Sequence, residues 1–144
     1  MTYWYLVADG SRARLFTSPK LDGELEEIED FVNEEGRLRD QEINTDKPGR
    51  SFKGGGRRTA MEPSESASER TEKIFAKKLA KRLNEAFQKN EFDRLGLVAA
   101  PKTLGHLREK LNDRVHEAIV GTSSKNLTRQ SADEIREHVS EKIL

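Results

Sequence analysis

Apolar positions along this chain follow two different rhythms. From Tyr3 to Ala8 nearly every residue is aromatic or aliphatic, Asp9-Gly10-Ser11 follows, and Ala13-Arg14-Leu15-Phe16-Thr17 alternates weakly. Two such runs joined through an Asp-Gly turn are a β-hairpin signal. Asp22-Gly23 makes a second turn. Leu25 to Phe31 then reads as a third strand, because three antiparallel strands close a sheet that two leave marginal. From about Ser68 to Asn90 the rhythm becomes helical. Phe75, Leu79, Leu83 and Phe87 recur every four residues, Ile74, Ala76, Ala80 and Ala86 fill the same side, and Ser68 or Thr71 supplies an N-cap. Phe92 to Ala100 is a near-continuous apolar run, as in a strand buried on both faces, and Pro101 ends it. Thr103 caps a short helix bearing Leu104, Leu107 and Leu111, and a further strand runs from His116 to Thr122 around Ala118, Ile119 and Val120. Ser131 with Glu134 forms a capping box for a terminal helix whose buried side is Ile135, Val139 and Ile143. Strands in hairpins followed by helix, strand, helix, strand and helix predict an α/β fold, a mixed five-stranded sheet with helices packed on its faces.

Between these rhythms, from about residue 33 to 68, no period is sustained, and the stretch holds two of the four prolines and half of the ten glycines. This reads as a long flexible loop within a single domain spanning residues 1–144. Structureless loops of that length are either functional or disordered. Charged residues make up 36% of the chain and hydrophobic ones only 33%, while the formal net charge is zero. Affinity for a polyanion would therefore have to come from local segregation of charge. Segregation is present. Residues 22–35 carry only acids (Asp22, Glu24, Glu26, Glu27, Glu29, Asp30, Glu34 and Glu35), whereas Lys47 to Arg58 carries only bases. Lys47, Arg50, Lys53, Arg57 and Arg58 suit charge-assisted bonds to phosphates, Gly54, Gly55 and Gly56 let backbone approach a ligand closely, and Phe52 can stack on an unpaired base. The outer face of the long helix adds Lys73, Lys77, Lys78, Lys81, Arg82 and Lys89, either an extension of the basic stretch or a solvated face. The acidic stretch is a candidate surface for a protein partner.

Catalytic chemistry has little local support. The chain has no cysteine, so neither disulfides nor thiolate ligands arise, which fits a reducing compartment. His106, His116 and His138 show no i, i+4 pair and no carboxylate at metal-ligand spacing, so no metal or cofactor is expected. Gly49 to Gly55 lacks the Lys-Ser/Thr ending of a phosphate loop, and Gly121-Thr122-Ser123-Ser124 lacks the second glycine of a nucleophile elbow. The apolar start is stopped by Asp9 and has no basic lead, so a cytoplasmic protein without membrane contact is expected.

Taken together, Tyr3-Trp4-Tyr5-Leu6-Val7-Ala8-Asp9-Gly10-Ser11-Arg12-Ala13-Arg14-Leu15-Phe16, Asp46-Lys47-Pro48-Gly49-Arg50-Ser51-Phe52, Leu97-Val98-Ala99-Ala100-Pro101 with Leu104-Gly105-His106-Leu107-Arg108, and Lys125-Asn126-Leu127-Thr128 resemble the bacterial host attachment protein family. That family name records an association with attachment to host cells and defines no chemistry. The order of elements also resembles the middle domain of archaeal and eukaryotic peptide-chain release factors and of Pelota, a ribonuclease H-like fold. In release factors a basic Gly-Gly-Gln loop follows the third strand, and its glutamine promotes peptidyl-tRNA hydrolysis. Here Gly54-Gly55-Gly56-Arg57 holds the corresponding place, with Gly56 where glutamine should stand. The resemblance thus implies ribosome or RNA binding without hydrolysis. The alternative is a cytoplasmic interaction or regulatory protein that affects attachment indirectly.

Overall fold

A computed structural model describes residues 1–34 and 67–143. Three strands come first, β1 (Tyr3–Ala8), β2 (Arg12–Ser18) and β3 (Glu26–Val32). Helix α1 (Ala67–Gln88), strand β4 (Arg94–Ala99), helices α2 (Pro101–Lys110) and α3 (Asp113–Ala118), strand β5 (Ile119–Ser123) and helix α4 (Ala132–Lys142) complete the order. The strands form one mixed sheet in the order β3-β2-β1-β4-β5. β1 pairs antiparallel with β2 and parallel with β4, Leu6 lying opposite both Leu15 and Leu97. β2 pairs antiparallel with β3, and β4 parallel with β5. The expected mixed five-stranded α/β sheet is therefore present.

The two strands without polar alternation, β1 and β4, lie at the centre, buried along almost their whole length, because only a central strand can cover apolar residues on both sides. On one side of the sheet, Trp4, Leu6, Leu15, Leu95 and Leu97 pack with Phe75, Leu79 and Leu83 of α1, Leu104 and Leu107 of α2, and Val115 of α3. On the other, Tyr5, Val7, Phe16 and Val98 meet Ile135 and Val139 of α4, with the partly buried Leu25, Leu127, Ala132 and Ile143 packed at the margin. Gly96 belongs to this thinner layer. A Cβ there would stand 2.5 Å from Cδ1 of Tyr5, so the missing side chain is what lets the Tyr5 ring lie across β4. Burial pushes the Tyr5 phenol up to about 12.

Local signals explain the helix ends. Ser131 Oγ accepts from Glu134 N while Glu134 returns a bond to Ser131 N, the reciprocal box the sequence predicts. α1 stops where Asn90 takes the left-handed conformation (φ 62°), with Glu91 N bonded to Ala86 O and Asn90 N to Phe87 O, a Schellman ending with Asn in place of Gly.

Four local expectations are corrected. Ile74 is 56% exposed rather than buried, lying between rows of α1 that face outward. Neither Ser68 nor Thr71 precedes α1; both lie inside it, and the Thr71 hydroxyl donates to Ser68 O. Thr103 does not cap α2, which begins at Pro101, where a proline's missing N–H costs nothing; Thr103 is buried within the helix. The strand placed at His116 to Thr122 begins only at Ile119. Asn112 accepts from Val115 N and caps α3 over the preceding residues.

Candidate functional site

Parallel β1, β4 and β5 end on the same side of the sheet, where β2 begins and β3 finishes. In open α/β sheets the crevice outside the carboxyl ends of the strands is where ligands bind. Here that end is organised by Asp9, the first residue after β1. Its Oδ1 accepts from Ser11 N and Arg12 N, both at 2.8 Å, which shapes the hairpin turn. Its Oδ2 accepts from Asn126 Nδ2 at 3.1 Å and Thr128 Oγ1 at 3.0 Å, which ties that turn to the loop between β5 and α4. A carboxylate bonded on both oxygens this way is a structural clamp rather than a free base. Beside it lies an open groove of about 530 Å³ lined by Asp9, Ser11, Arg12, Asp30, Thr128 and Arg129.

The end of β3 is fastened to the same place. Asn33 N donates to Ser11 O at 2.8 Å, and Asn33 Nδ2 reaches Gly10 O at 3.0 Å and Thr71 O of α1 at 3.4 Å. The described chain therefore leaves β3 and resumes in α1 within hydrogen-bond reach of one turn. The residues assigned to RNA contact, Lys47, Arg50, Lys53, Gly54, Gly55, Gly56, Arg57 and Arg58, lie outside the described residues.

The acidic stretch is resolved into paired and open carboxylates. Arg12 holds Asp30 at 3.2 Å and Arg14 holds Glu27 at 2.9 Å across the β2–β3 ladder. Arg14 is mostly buried; Nη1 also donates to Thr128 O and Gln130 O, and its guanidinium sits 5.1 Å over the Phe16 ring. From α1, Arg82 reaches Glu29 at 3.0 Å and Glu91 at 3.4 Å, with its guanidinium 5.3 Å from the Trp4 ring. The bond to Asp30 raises the pKa of Arg12, and the bond to Glu29 raises that of Arg82. Arg82 is thus separated from the basic stripe in which its sequence position places it. Lys77, Lys78 and Lys81 are exposed and make no ion pair among the described residues.

One polar pair escapes sequence reasoning. Ser123 Oγ, at the end of β5, lies 2.7 Å from Nε2 of His138 on α4. Burial first, then Lys125 and Lys142, lower the His138 pKa. The ring is therefore neutral near pH 7 and can share a hydrogen with the serine. No carboxylate is bonded to its other nitrogen among the described residues, and the pair serves to join β5 to α4. The partners are fifteen residues apart on different elements, a distance at which no local spacing links them. His116 Nε2 bonds Arg108 O at 2.7 Å. Among the described residues no cluster of three or more His, Asp or Glu side chains is arranged for a metal ion, and no helix is long and apolar enough to cross a membrane.

The family described as "Protein required for attachment to host cells" matches residues 4–139. The chain belongs to this host attachment family. Its matched region takes in the Asp9 turn, the acidic strand, α1 and most of α4. Among curated proteins none matches. Two solved structures from Aquifex aeolicus are similar at low identity. One, the type II variant of the Ppx/GppA phosphatase, is 13% identical over 83% of this chain and 34% of its own, with a TM-score of 0.42. The other, a Ppx/GppA family member, is 11% identical over 99% of this chain and 32% of its own, with a TM-score of 0.37. The chain spans about a third of the length of each, and at this distance neither likeness bears on activity.

Proposed function

We propose that this host attachment family protein is a non-catalytic, release-factor-like domain of the cytoplasm that binds ribosomal or transfer RNA through Lys47, Arg50, Lys53, Arg57 and Arg58. Glycines 54 to 56 allow the backbone to come close to the RNA, and Gly56 in place of glutamine removes the group that would promote peptidyl-tRNA hydrolysis. The observation that carries this reading is the prior commitment of the acidic strand. Glu27, Glu29 and Asp30 are each held by an arginine of the fold, Arg14, Arg82 and Arg12, which leaves these three carboxylates less available as counter-charges. A segment that carries five bases and no acid from Lys47 to Arg58 suits a polyanion. The flanks support the same reading, since Asn33 fixes the exit from β3 beside the Asp9 turn and α1.

Co-sedimentation with ribosomes and titration of ribosomal RNA and transfer RNA at low salt test it. Binding that weakens steeply as salt rises is expected, with no peptide release above background. Absence of binding at low salt would end this reading.

A second reading, a protein-interaction domain that influences attachment indirectly, is favoured by the edge position of β3 in the described sheet, where Ile28 and Val32 are 41% and 40% exposed on a strand that begins at the exposed Glu26. If Ile28→Lys and Val32→Lys abolish capture of a defined protein partner while RNA titrations stay flat, this second reading replaces the first.

A further inference from the structure

We infer that the outward face of α1, through Lys77, Lys78 and Lys81, is a contact for the phosphodiester backbone of RNA. The inference rests on the RNA-binding reading above and adds a folded surface to it. Positions 77, 78 and 81 lie on one exposed side of α1, Lys77 and Lys81 one turn apart. A helix face that needs only solubility intersperses acids at the i±3 and i±4 positions, because like charges there repel. Here Lys77 has Lys73 and Lys81 as its i±4 neighbours, Lys78 has Ile74 and Arg82, and Lys81 has Lys77 and Glu85. Only one of those six neighbouring positions is acidic, and Glu85 forms no ion pair with Lys81. Repulsion among Lys77, Lys78 and Lys81 is relieved when phosphates take the place of acids at these positions.

The contrast with Arg82 shows that a cation on this helix can be used internally when acids are within reach. Arg82 turns to β3 and pairs twice, whereas Lys77, Lys78 and Lys81 have no ionic partner among the described residues. An acidic lipid surface is the other polyanion such a helix could meet. Insertion needs an apolar face free to enter the bilayer, and that of α1 is spent on the core: Phe75, Leu79 and Leu83 are at most 4% exposed. Ile74 alone, among lysines, offers little to a bilayer. RNA backbone, which asks only for exposed cations, fits better.

The test compares the full chain with three variants in titrations of ribosomal RNA across a salt series. Lys77→Gln/Lys78→Gln/Lys81→Gln should lower the slope of log affinity against log salt by about 2, at roughly 0.7 for each phosphate of a single strand that is no longer neutralised. Lys77→Arg/Lys78→Arg/Lys81→Arg should keep the slope. Thermal unfolding should show the glutamine variant folded and no less stable than the parent, since the three lysines are exposed and make no ion pair among the described residues. If the glutamine variant keeps the full slope while Arg50→Gln/Lys53→Gln/Arg57→Gln/Arg58→Gln loses it, the helix contact is overturned and the binding segment stands. If the unmodified chain does not bind RNA, both fall. Binding to phosphatidylserine vesicles at the strength seen with RNA, abolished in the glutamine variant, would overturn the choice of RNA.

Discussion

Two charged regions of this protein differ in the way that an ion pair differs from a free ion. Along β2, β3 and the inner flank of α1, each arginine is matched: Arg12 with Asp30, Arg14 with Glu27, Arg82 with Glu29 and Glu91. On the outer face of α1, Lys77, Lys78 and Lys81 have no ionic partner among the described residues. The residue types follow the task. A planar guanidinium suits a carboxylate held in fixed geometry, whereas a lysine's compact, hydrated charge on a flexible stem suits a ligand that arrives from solution. Where charges are matched, removing one should damage the fold. Where they are not, removing one should damage binding and leave the fold alone.

The largest effect on stability is expected at Arg14, the least exposed of these cations. Arg14→Ala leaves Thr128 O and Gln130 O without a donor, strands Glu27, and uncovers Phe16, so it should cost about 2–3 kcal/mol in chemical denaturation. A loss under about 0.5 kcal/mol, the scatter of ordinary surface changes, would mean that the matched region is no more structural than the lysine face. Arg82→Ala comes next. It removes two partly exposed ion pairs and a cation–π contact with Trp4, and about 1–2 kcal/mol is expected, part of it sensitive to salt. Lys77→Ala, Lys78→Ala and Lys81→Ala should each stay within about 0.5 kcal/mol, tending upward as like-charge neighbours separate.

The smallest effect concerns pH. Because the folded state lowers the His138 pKa, protonation favours the unfolded chain. The stability tied to neutral His138 is complete above its ordinary value of 6.5 and declines as pH falls from there toward the lowered folded value, below which it is flat. Melting temperature between pH 7.5 and 5.5 should therefore drop slightly more for the parent than for His138→Gln. Equal drops would show that the ring's proton has no part in joining β5 to α4.

The sequence makes some of this plain and hides the rest for identifiable reasons. The unbroken apolar runs of β1 and β4 are legible because a centrally placed strand needs no polar side, and Ser131 with Glu134 is legible because a capping box is local. Helix α3 is not, since six residues are too few for a period to emerge and the apolar Ala118-Ile119-Val120 run pulls the reading toward strand. Ile74 shows that an apolar residue near a helical stripe need not belong to it. At the candidate site, the two blocks of opposite charge can be read directly, but which carboxylates are already taken cannot. Arg82 meets Glu29 across 53 positions and Asp9 meets Thr128 across 119, pairings that only the sheet order creates. The same fact sets Arg82, used internally, apart from Lys77, Lys78 and Lys81, which have no ionic partner among the described residues.

The central claim is that the bases from Lys47 to Arg58, together with the lysine face of α1, meet RNA. Equilibrium titration of the full chain with ribosomal RNA over a range of salt concentrations tests it most directly. Tight binding at low salt is predicted, with log affinity falling linearly against log salt at a slope of about −3.5 or steeper, roughly 0.7 for each of the five cations between Lys47 and Arg58. No measurable binding at low salt, or binding indifferent to salt, would contradict it.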